Sequence, residues 1–241
     1  MFLLSNHREM TPEIMDRPDV EHSAHLSALE GLRRINVASK AAAQIAEPIV
    51  AGAKRDGVNR ISILDIACGG GDVPVAVAQI AKSAGIDVEL ILLDRSATAL
   101  ASASETARRA QIQHQSVQAD IAAGWPSLQA DVVTSSLFLH HLPSGPDVVE
   151  FLSKARQIAR RRIVISDLRR SRLGYLLAWA GGRVLSRSSI VHHDGPVSVR
   201  AAWTITEMRR FAADANLANC HIRASFPWRM LLVSEAGAQS S

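Results

Sequence analysis

Ile61-Ser62-Ile63-Leu64-Asp65-Ile66-Ala67-Cys68-Gly69-Gly70-Gly71-Asp72 decides how the rest of the chain is read. An apolar, β-branched run closes on an acid, a glycine-rich turn follows, and residues 73–82 continue with helical spacing. That order is strand, tight turn, helix, the opening unit of a nucleotide-binding α/β sheet. Glycines let backbone N–H groups approach a ligand closely, and the helix N-terminus adds partial positive charge at the same place. A triple glycine alone also occurs in βα turns that bind nothing, so its neighbours decide the reading.

The first neighbour is Asp94, which ends the apolar run 88–93, twenty-three positions after Gly71. A doubly wound fold places there the acid that accepts hydrogen bonds from ribose hydroxyls. A dinucleotide fingerprint would need Gly-x-Gly-x-x-Gly, whereas here Gly69-x-Gly71 is followed by Val73 and Pro74. Pro74 removes an N–H near the helix start, and Asp65 and Asp72 bring negative charge to the turn. Both features are unsuited to a pyrophosphate, and the two acids are suited to a cation. S-adenosylmethionine, with a ribose, a sulfonium, an ammonium and no phosphate, fits these residues.

At these positions the chain resembles the class I S-adenosylmethionine-dependent methyltransferases, whose first motif usually reads acid-x-Gly-x-Gly-x-Gly. The corresponding residues are Asp65-Ile66-Ala67-Cys68-Gly69-Gly70-Gly71, with Ala67 in the first glycine position, a mild departure if its φ is negative. Asp94 matches the family's ribose acid. Gln118-Ala119-Asp120, after a third strand over 113–117, matches the acid that reads the adenine amino group. Ala130 to Leu142, including Ser136, His140 and His141, matches the fourth strand and its exit loop. The resemblance implies a cofactor cradle of Asp65, Ala67, Gly69, Gly71, Asp94, Arg95, Asp120, Ile121 and Ser136. It covers residues 60–168 most closely.

Alternating signals for strand 61–66, helix 73–84, strand 87–93, helix 97–109, strand 113–117, strand 131–135, helix 145–159 and strand 162–166 predict a parallel sheet with crossover helices. The family pattern adds a terminal antiparallel pair, for which 221–226 and 229–234 are available. The expected fold is α/β, a doubly wound, mostly parallel seven-stranded Rossmann-like sheet. A helical arm or lid over 1–54 precedes a methyltransferase domain over 55–241. Between the fifth strand and a helix over 206–215 lie about forty residues, longer than usual connections. This cap insertion, 168–205, holds an apolar helix over 173–185 and the polar run Val191-His192-His193-Asp194-Gly195-Pro196. Ligands bind beyond the carboxyl ends of strands in open α/β sheets, so the cap should roof the acceptor site.

Composition fits a compact globular enzyme. The 241 residues are 47% apolar, 21% charged and only 4% aromatic, so Ala, Val, Leu and Ile must build the core. A net charge of +4 is a modest basic excess, not the basic face of a nucleic-acid binder. Arg160-Arg161-Arg162 and Arg169-Arg170 are expected as solvated strand ends. Two cysteines, Cys68 and Cys220, offer no disulfide framework or metal-ligand spacing, so no metal is expected. Phe2-Leu3-Leu4 is too short for a signal core, and 173–185 falls short of the ~20 residues of a membrane span. A cytoplasmic protein, monomer or homodimer, is the simplest reading.

Methyl transfer from a sulfonium is an in-line displacement, and a hydroxyl acceptor benefits from a general base whose pKa lies near neutrality. His140 and His193, the latter beside Asp194, are the candidates for that base. His141, His192 and Arg200 are candidates for acceptor binding, Arg200 through its guanidinium fork. The segments Pro12 to Asp19, Gly31 to Asn36, His193-Asp194-Gly195 and Ser198 to Ala202 resemble small-molecule methyltransferases of the ubiquinone/menaquinone-biosynthesis type. They are most similar to a bacterial subgroup of polyketide or phenolic-lipid pathways. That resemblance implies a small, fairly apolar aromatic, quinol or polyketide acceptor, methylated at oxygen. The place where methyltransferases of exocyclic base nitrogens carry Asp/Asn-Pro-Pro-aromatic reads Thr134-Ser135-Ser136-Leu137 here, so nucleic acid is not the expected partner.

Overall fold

The computed structural model describes residues 7–15, 17 and 19–236. Phe2-Leu3-Leu4, Asp16 and Pro18 lie outside them. The elements run α1 (His22–Ala38), α2 (Ala41–Arg55), β1 (Arg60–Ile66), α3 (Asp72–Ser83), β2 (Asp87–Asp94), α4 (Ala97–Arg109), β3 (His114–Gln118) and β4 (Ala130–Ser136). A single 3-10 turn (Leu139–His141) leads into α5 (Gly145–Ile158), β5 (Ala159–Leu168), α6 (Arg172–Leu185), α7 (Ser189–Ala201), α8 (Ile205–Asp214), β6 (His221–Ser225) and β7 (Arg229–Glu235). The sheet order is β3-β2-β1-β4-β5-β7-β6. Its first five strands pair in parallel, and β7 pairs antiparallel with both β5 and β6. The seven-stranded doubly wound sheet is therefore present, including the terminal hairpin.

β1 and β4 lie side by side at the centre, so the order reverses between them and a crevice opens at their carboxyl ends. Near-continuous apolar runs in β1, β2, β4 and β5 are buried on both faces, as parallel strands covered by helices require. One core packs α2, α3 and α4 on one face, with Ile45, Ile49, Val75 and Leu92. The other packs α5 and α8, with Phe151, Leu152, Met208 and Ile165.

The two N-terminal helices have different duties. α2 is a wall of the first core, whereas α1 contributes Leu29, Leu32, Ile35 and Asn36 to the mouth of the crevice. Of the N-terminal segment, α1 and the arm before it border the site and α2 does not.

Two arginine expectations change. Arg162 is 2% exposed; its guanidinium lies under Gly52 and pairs with Asp56 at 3.2 Å and Glu235 at 3.0 Å. A Cβ at Gly52 would fall 1.9 Å from that guanidinium, so glycine is what makes the space. Arg170 is also largely buried, bonded to Glu207 at 2.9 Å and to the Ala202 carbonyl at 3.0 Å. In both cases the guanidinium is buried against a partly exposed carboxylate rather than left in solvent.

The cap is two helices. α6 is the expected apolar helix. The polar run 191–196 is not a loop but the interior of α7, which accommodates Pro196. α6 and α7 pack together over the crevice.

Candidate active site

β1 delivers Asp65 to the floor of the crevice, and the chain must then turn sharply. Cys68 N–H donates to the Leu93 carbonyl at 3.0 Å, and Gly71 N–H donates to the Cys68 carbonyl at 3.0 Å. The turn demands left-handed backbone at Ala67 (φ +57), Gly69 (φ +54) and Gly71 (φ +76). The negative φ expected for Ala67 is thus overturned. An L-residue pays roughly 1–2 kcal/mol for this conformation, and alanine keeps that cost to a single methyl. A Cβ at Gly71 would fall 2.7 Å from Ala103 on α4. Gly71 serves helix packing and does not line the cavity, whereas Gly69 does.

Asp65 is 2% exposed and accepts a 2.5 Å hydrogen bond from Thr134 Oγ1. Burial pushes its carboxyl up to about 7, helped by the charges of Asp72 and Asp94 and opposed by the Thr134 bond. Burial likewise raises Asp72 above its ordinary value. Asp94 accepts from Gly69 N–H at 2.8 Å and Ser96 N–H at 2.9 Å, tying the β2 exit to the glycine turn. Asp120 sits at the exposed rim, where it accepts from Ala122 N–H at 3.0 Å. Three carboxylates around one turn, Asp65 and Asp72 raised by burial, form a site that gains from a cation.

These residues line one large cavity of about 1110 Å³. Asp65, Ala67, Gly69, Asp94, Arg95, Asp120, Ile121 and Ser136 share it with His140 and His141. Its remaining wall is mostly apolar, from Met15, Leu29 and Leu32 on one side to Phe138, Ala178, Leu185 and Val191 on the other. The volume exceeds what most single ligands need.

Beyond the fourth strand lies a charged cluster. His140 is 3% exposed, its Nδ1 is 2.6 Å from Asp167 Oδ1, and its Nε2 is 3.6 Å from Glu13 Oε1. Burial disfavours the imidazolium, but the charges and hydrogen bonds of Asp167 and Glu13 override it and push the pKa up to about 10. Asp167 and Glu13 are both held below their ordinary values by His140 despite burial. Ser198 Oγ from the cap donates to Glu13 at 2.5 Å. The donor atoms of Glu13, His140 and His141 lie within 4.8 Å of one another, so a divalent ion would find its ligands here. The ion pairs balance the charges of His140 and Glu13 without one.

The arm that carries Glu13 is pinned. Asp194 on α7 accepts from Ile14 N–H at 2.9 Å and Met15 N–H at 3.0 Å. Arg8 stacks 3.7 Å from the Trp203 ring centroid and donates to the carbonyls of His140, Leu142, Pro143 and Ala201.

The other three expected side chains lie elsewhere. His193, His192 and Arg200 do not line the cavity; they border an open cleft on the outer surface between α6 and α7. His193 does bond Asp194, at 2.8 Å, but its side chain is 46% exposed. His192 Nε2 meets the Ser186 carbonyl at 2.7 Å, and Arg200 donates to Tyr175 Oη at 3.1 Å. The helical register of α7 turns Asp194 inward and its histidine neighbours outward.

Arg229, missed in the sequence, is buried in the cavity wall and held at 2.6 Å by Asn36 Oδ1 and at 3.3 Å by Ser136 Oγ. Asn36 in turn donates to Asp72 at 2.9 Å. Burial lowers the Arg229 pKa to about 10, so it remains a cation at neutral pH. The chain Asp72–Asn36–Arg229–Ser136 clips α1 to the glycine turn and to β4.

A family model described as methyltransferase domain matches residues 63–162, which hold the glycine turn, Asp94, Asp120 and His140. No curated protein matches the chain. Among solved structures, it is similar to the plantazolicin methyltransferase BpumL in complex with SAH, at TM-score 0.63 and 15% identity over 86% of this chain and 89% of that one. Magnesium protoporphyrin IX methyltransferase from Synechocystis with bound SAH gives TM-score 0.54 and 20% identity, covering 80% of this chain and 82% of that one. An O-methyltransferase family 2 protein from Planctomyces limnophilus, in complex with apigenin, gives TM-score 0.53 and 20% identity over 73% of this chain. The present chain spans 50% of that protein's length. Residues 63–162 thus match a methyltransferase domain, and the strand order of the chain is that of the class I S-adenosylmethionine-dependent methyltransferase fold.

Proposed function

We propose that this enzyme methylates a hydroxyl of a small, fairly apolar aromatic, quinol or polyketide acceptor. The observation that carries the reading is the pairing, in one cavity, of the cation-seeking turn at Asp65–Asp94 with the Asp167–His140–Glu13 cluster. Asp94 would hold the cofactor ribose, Asp120 and Ile121 its adenine, and Asp65 its ammonium. The apolar wall receives the acceptor rings. S-adenosylmethionine supplies an activated methyl group; the protein aligns the acceptor oxygen with it and excludes water.

His140 acts as the base through Nε2, while Asp167 fixes its Nδ1 tautomer and ring plane. In the resting protein His140 is charged. A sulfonium held nearby would disfavour that charge; with that proton released to solvent, the His140 Nε2 lone pair takes the acceptor's proton. Turnover should therefore rise with pH across the alkaline range, and Glu13→Gln should move that limb to lower pH by removing a charge that holds the proton.

Asp65 makes a second pH signature. A carboxyl raised to about 7 when folded holds a proton that the unfolded chain has lost. Its contribution to stability is complete below the unfolded value of about 3.9 and disappears as pH rises through 7. Affinity for the cationic cofactor runs the opposite way. S-adenosylhomocysteine should bind progressively more weakly as pH falls below 7, by up to about tenfold per pH unit, and Asp65→Asn should flatten that dependence.

The acceptor class is tested by mass spectrometry of methylated product with a panel of phenols, quinols and enolic polyketides against carboxylic acids and amines. A single methyl added at oxygen of the first group is expected. Methylation confined to amines, or to a nucleic acid supplied in parallel, overturns the reading.

A further inference from the structure

The cap helix α6 has two unlike faces. Ala178, Gly181, Gly182 and Leu185 turn inward and line the cavity. Outward, Leu173, Leu176, Ala180 and Val184 follow one another at spacings of three and four, a single stripe along the helix. Leu173 is 64%, Leu176 60% and Val184 81% exposed, with Trp179 at 48% along the stripe's edge. Four large apolar side chains on one helix face are a patch, not scattered exposure.

Along the segment that carries the patch, the charged side chains have one sign. From Arg169 to His193 the chain carries five arginines, at 169, 170, 172, 183 and 187, and no Asp or Glu. Arg172, Arg183 and Arg187 are exposed. Next to the stripe opens the cleft between α6 and α7, bordered by Tyr175, Trp179, Arg183, His193 and Arg200. There the Arg183 guanidinium lies 4.4 Å from the Trp179 ring centroid and the Arg200 guanidinium 5.1 Å from that of Tyr175. Neither arginine has a carboxylate within 4.0 Å among the described residues. Aromatic rings thus hold two cations at the edge of an apolar strip.

We infer that the α6–α7 hairpin docks on an anionic lipid surface. The stripe enters the boundary between headgroups and acyl chains, Trp179 sits at headgroup depth, and the Arg183–Arg200 cleft receives a lipid phosphate. An amphipathic helix with an apolar face and an arginine-rich border binds membranes in this way without crossing them. Among the described residues no helix is long and apolar enough to cross a membrane. Docking would place the outer face of the cavity roof against the pool in which apolar acceptors dissolve. The inference does not depend on which acceptor is methylated.

The test is co-sedimentation of the full chain with vesicles of phosphatidylcholine alone and of phosphatidylcholine mixed with phosphatidylglycerol. Binding to the anionic vesicles, released by salt and absent from neutral ones, is expected. Arg183→Gln should weaken it about fivefold, the equivalent of about 1 kcal/mol per surface arginine. Leu176→Asp with Val184→Asp should abolish it, and an unchanged melting temperature shows that this variant is folded. No preference for anionic vesicles overturns the inference, as does undiminished binding by the double variant. A dimer in sedimentation velocity that the double variant splits, without vesicle binding, overturns it in favour of a second copy of this chain.

Discussion

His140→Gln should lower turnover by about 10²–10⁴-fold, the range expected when a general base is lost, while affinity for S-adenosylhomocysteine stays nearly unchanged. The cluster explains both halves. His140 Nε2 faces the cavity beside Glu13, whereas Asp65, Asp94 and Asp120 hold the opposite end. Glutamine is chosen because it retains a donor toward Asp167. Alanine would leave two buried carboxylates without their cation, which costs about 3–5 kcal/mol and would confuse chemistry with folding. Asp167→Asn should act through His140: it should reduce turnover and shift the pH profile while leaving the acceptor KM nearly unchanged. Wild-type turnover in a folded His140→Gln protein would remove the base from the mechanism. An acceptor already ionised in solution should show the smallest effect of all, so the acid strength of the phenol tested belongs in the comparison.

Asp94→Ala should weaken S-adenosylhomocysteine binding by about 1–3 kcal/mol, roughly 5–150-fold. Its carboxylate has two duties. It accepts the N–H groups of Gly69 and Ser96, which fixes the glycine turn against β2. It also offers the acceptor atoms for ribose hydroxyls that would otherwise be buried unpaired. Loss of the first duty loosens the left-handed turn at Gly69 and the second removes a charged acceptor, so both act in the same direction. Thermal unfolding without ligand separates them, because only the turn contributes to the empty protein.

The strand–helix alternation made the sheet legible, because parallel strands buried on both faces leave apolar runs that local reading detects. Asp65, Gly69 and Asp94 were legible for the same reason: the turn and its acid are fixed by short-range geometry. Ala67 was misjudged in conformation, since its methyl hides a backbone that the turn alone dictates. Gly195 and Pro196 interrupt the helical pattern of α7, so its register stayed hidden and the His193-Asp194 pair looked like a base with its orienting acid. Asp194 instead spends its carboxylate on the arm. Glu13, Asn36 and Arg229 were invisible for a different reason. Arg229 and Asn36 meet across 193 positions of sequence, and the contact of Glu13 with His140 is equally non-local. No periodicity or motif spacing encodes such meetings; the topology that brings β7 beside β5 does.

Isothermal calorimetry of S-adenosylhomocysteine with the full chain tests the central claim most directly, that the Asp65–Gly71 turn and Asp94 form a nucleoside cation site. The expected result is one site of low-micromolar affinity, about 8 kcal/mol, weakened in Asp94→Ala and at pH below 7. No binding of S-adenosylhomocysteine or S-adenosylmethionine, with tight binding of a nicotinamide dinucleotide instead, would contradict it.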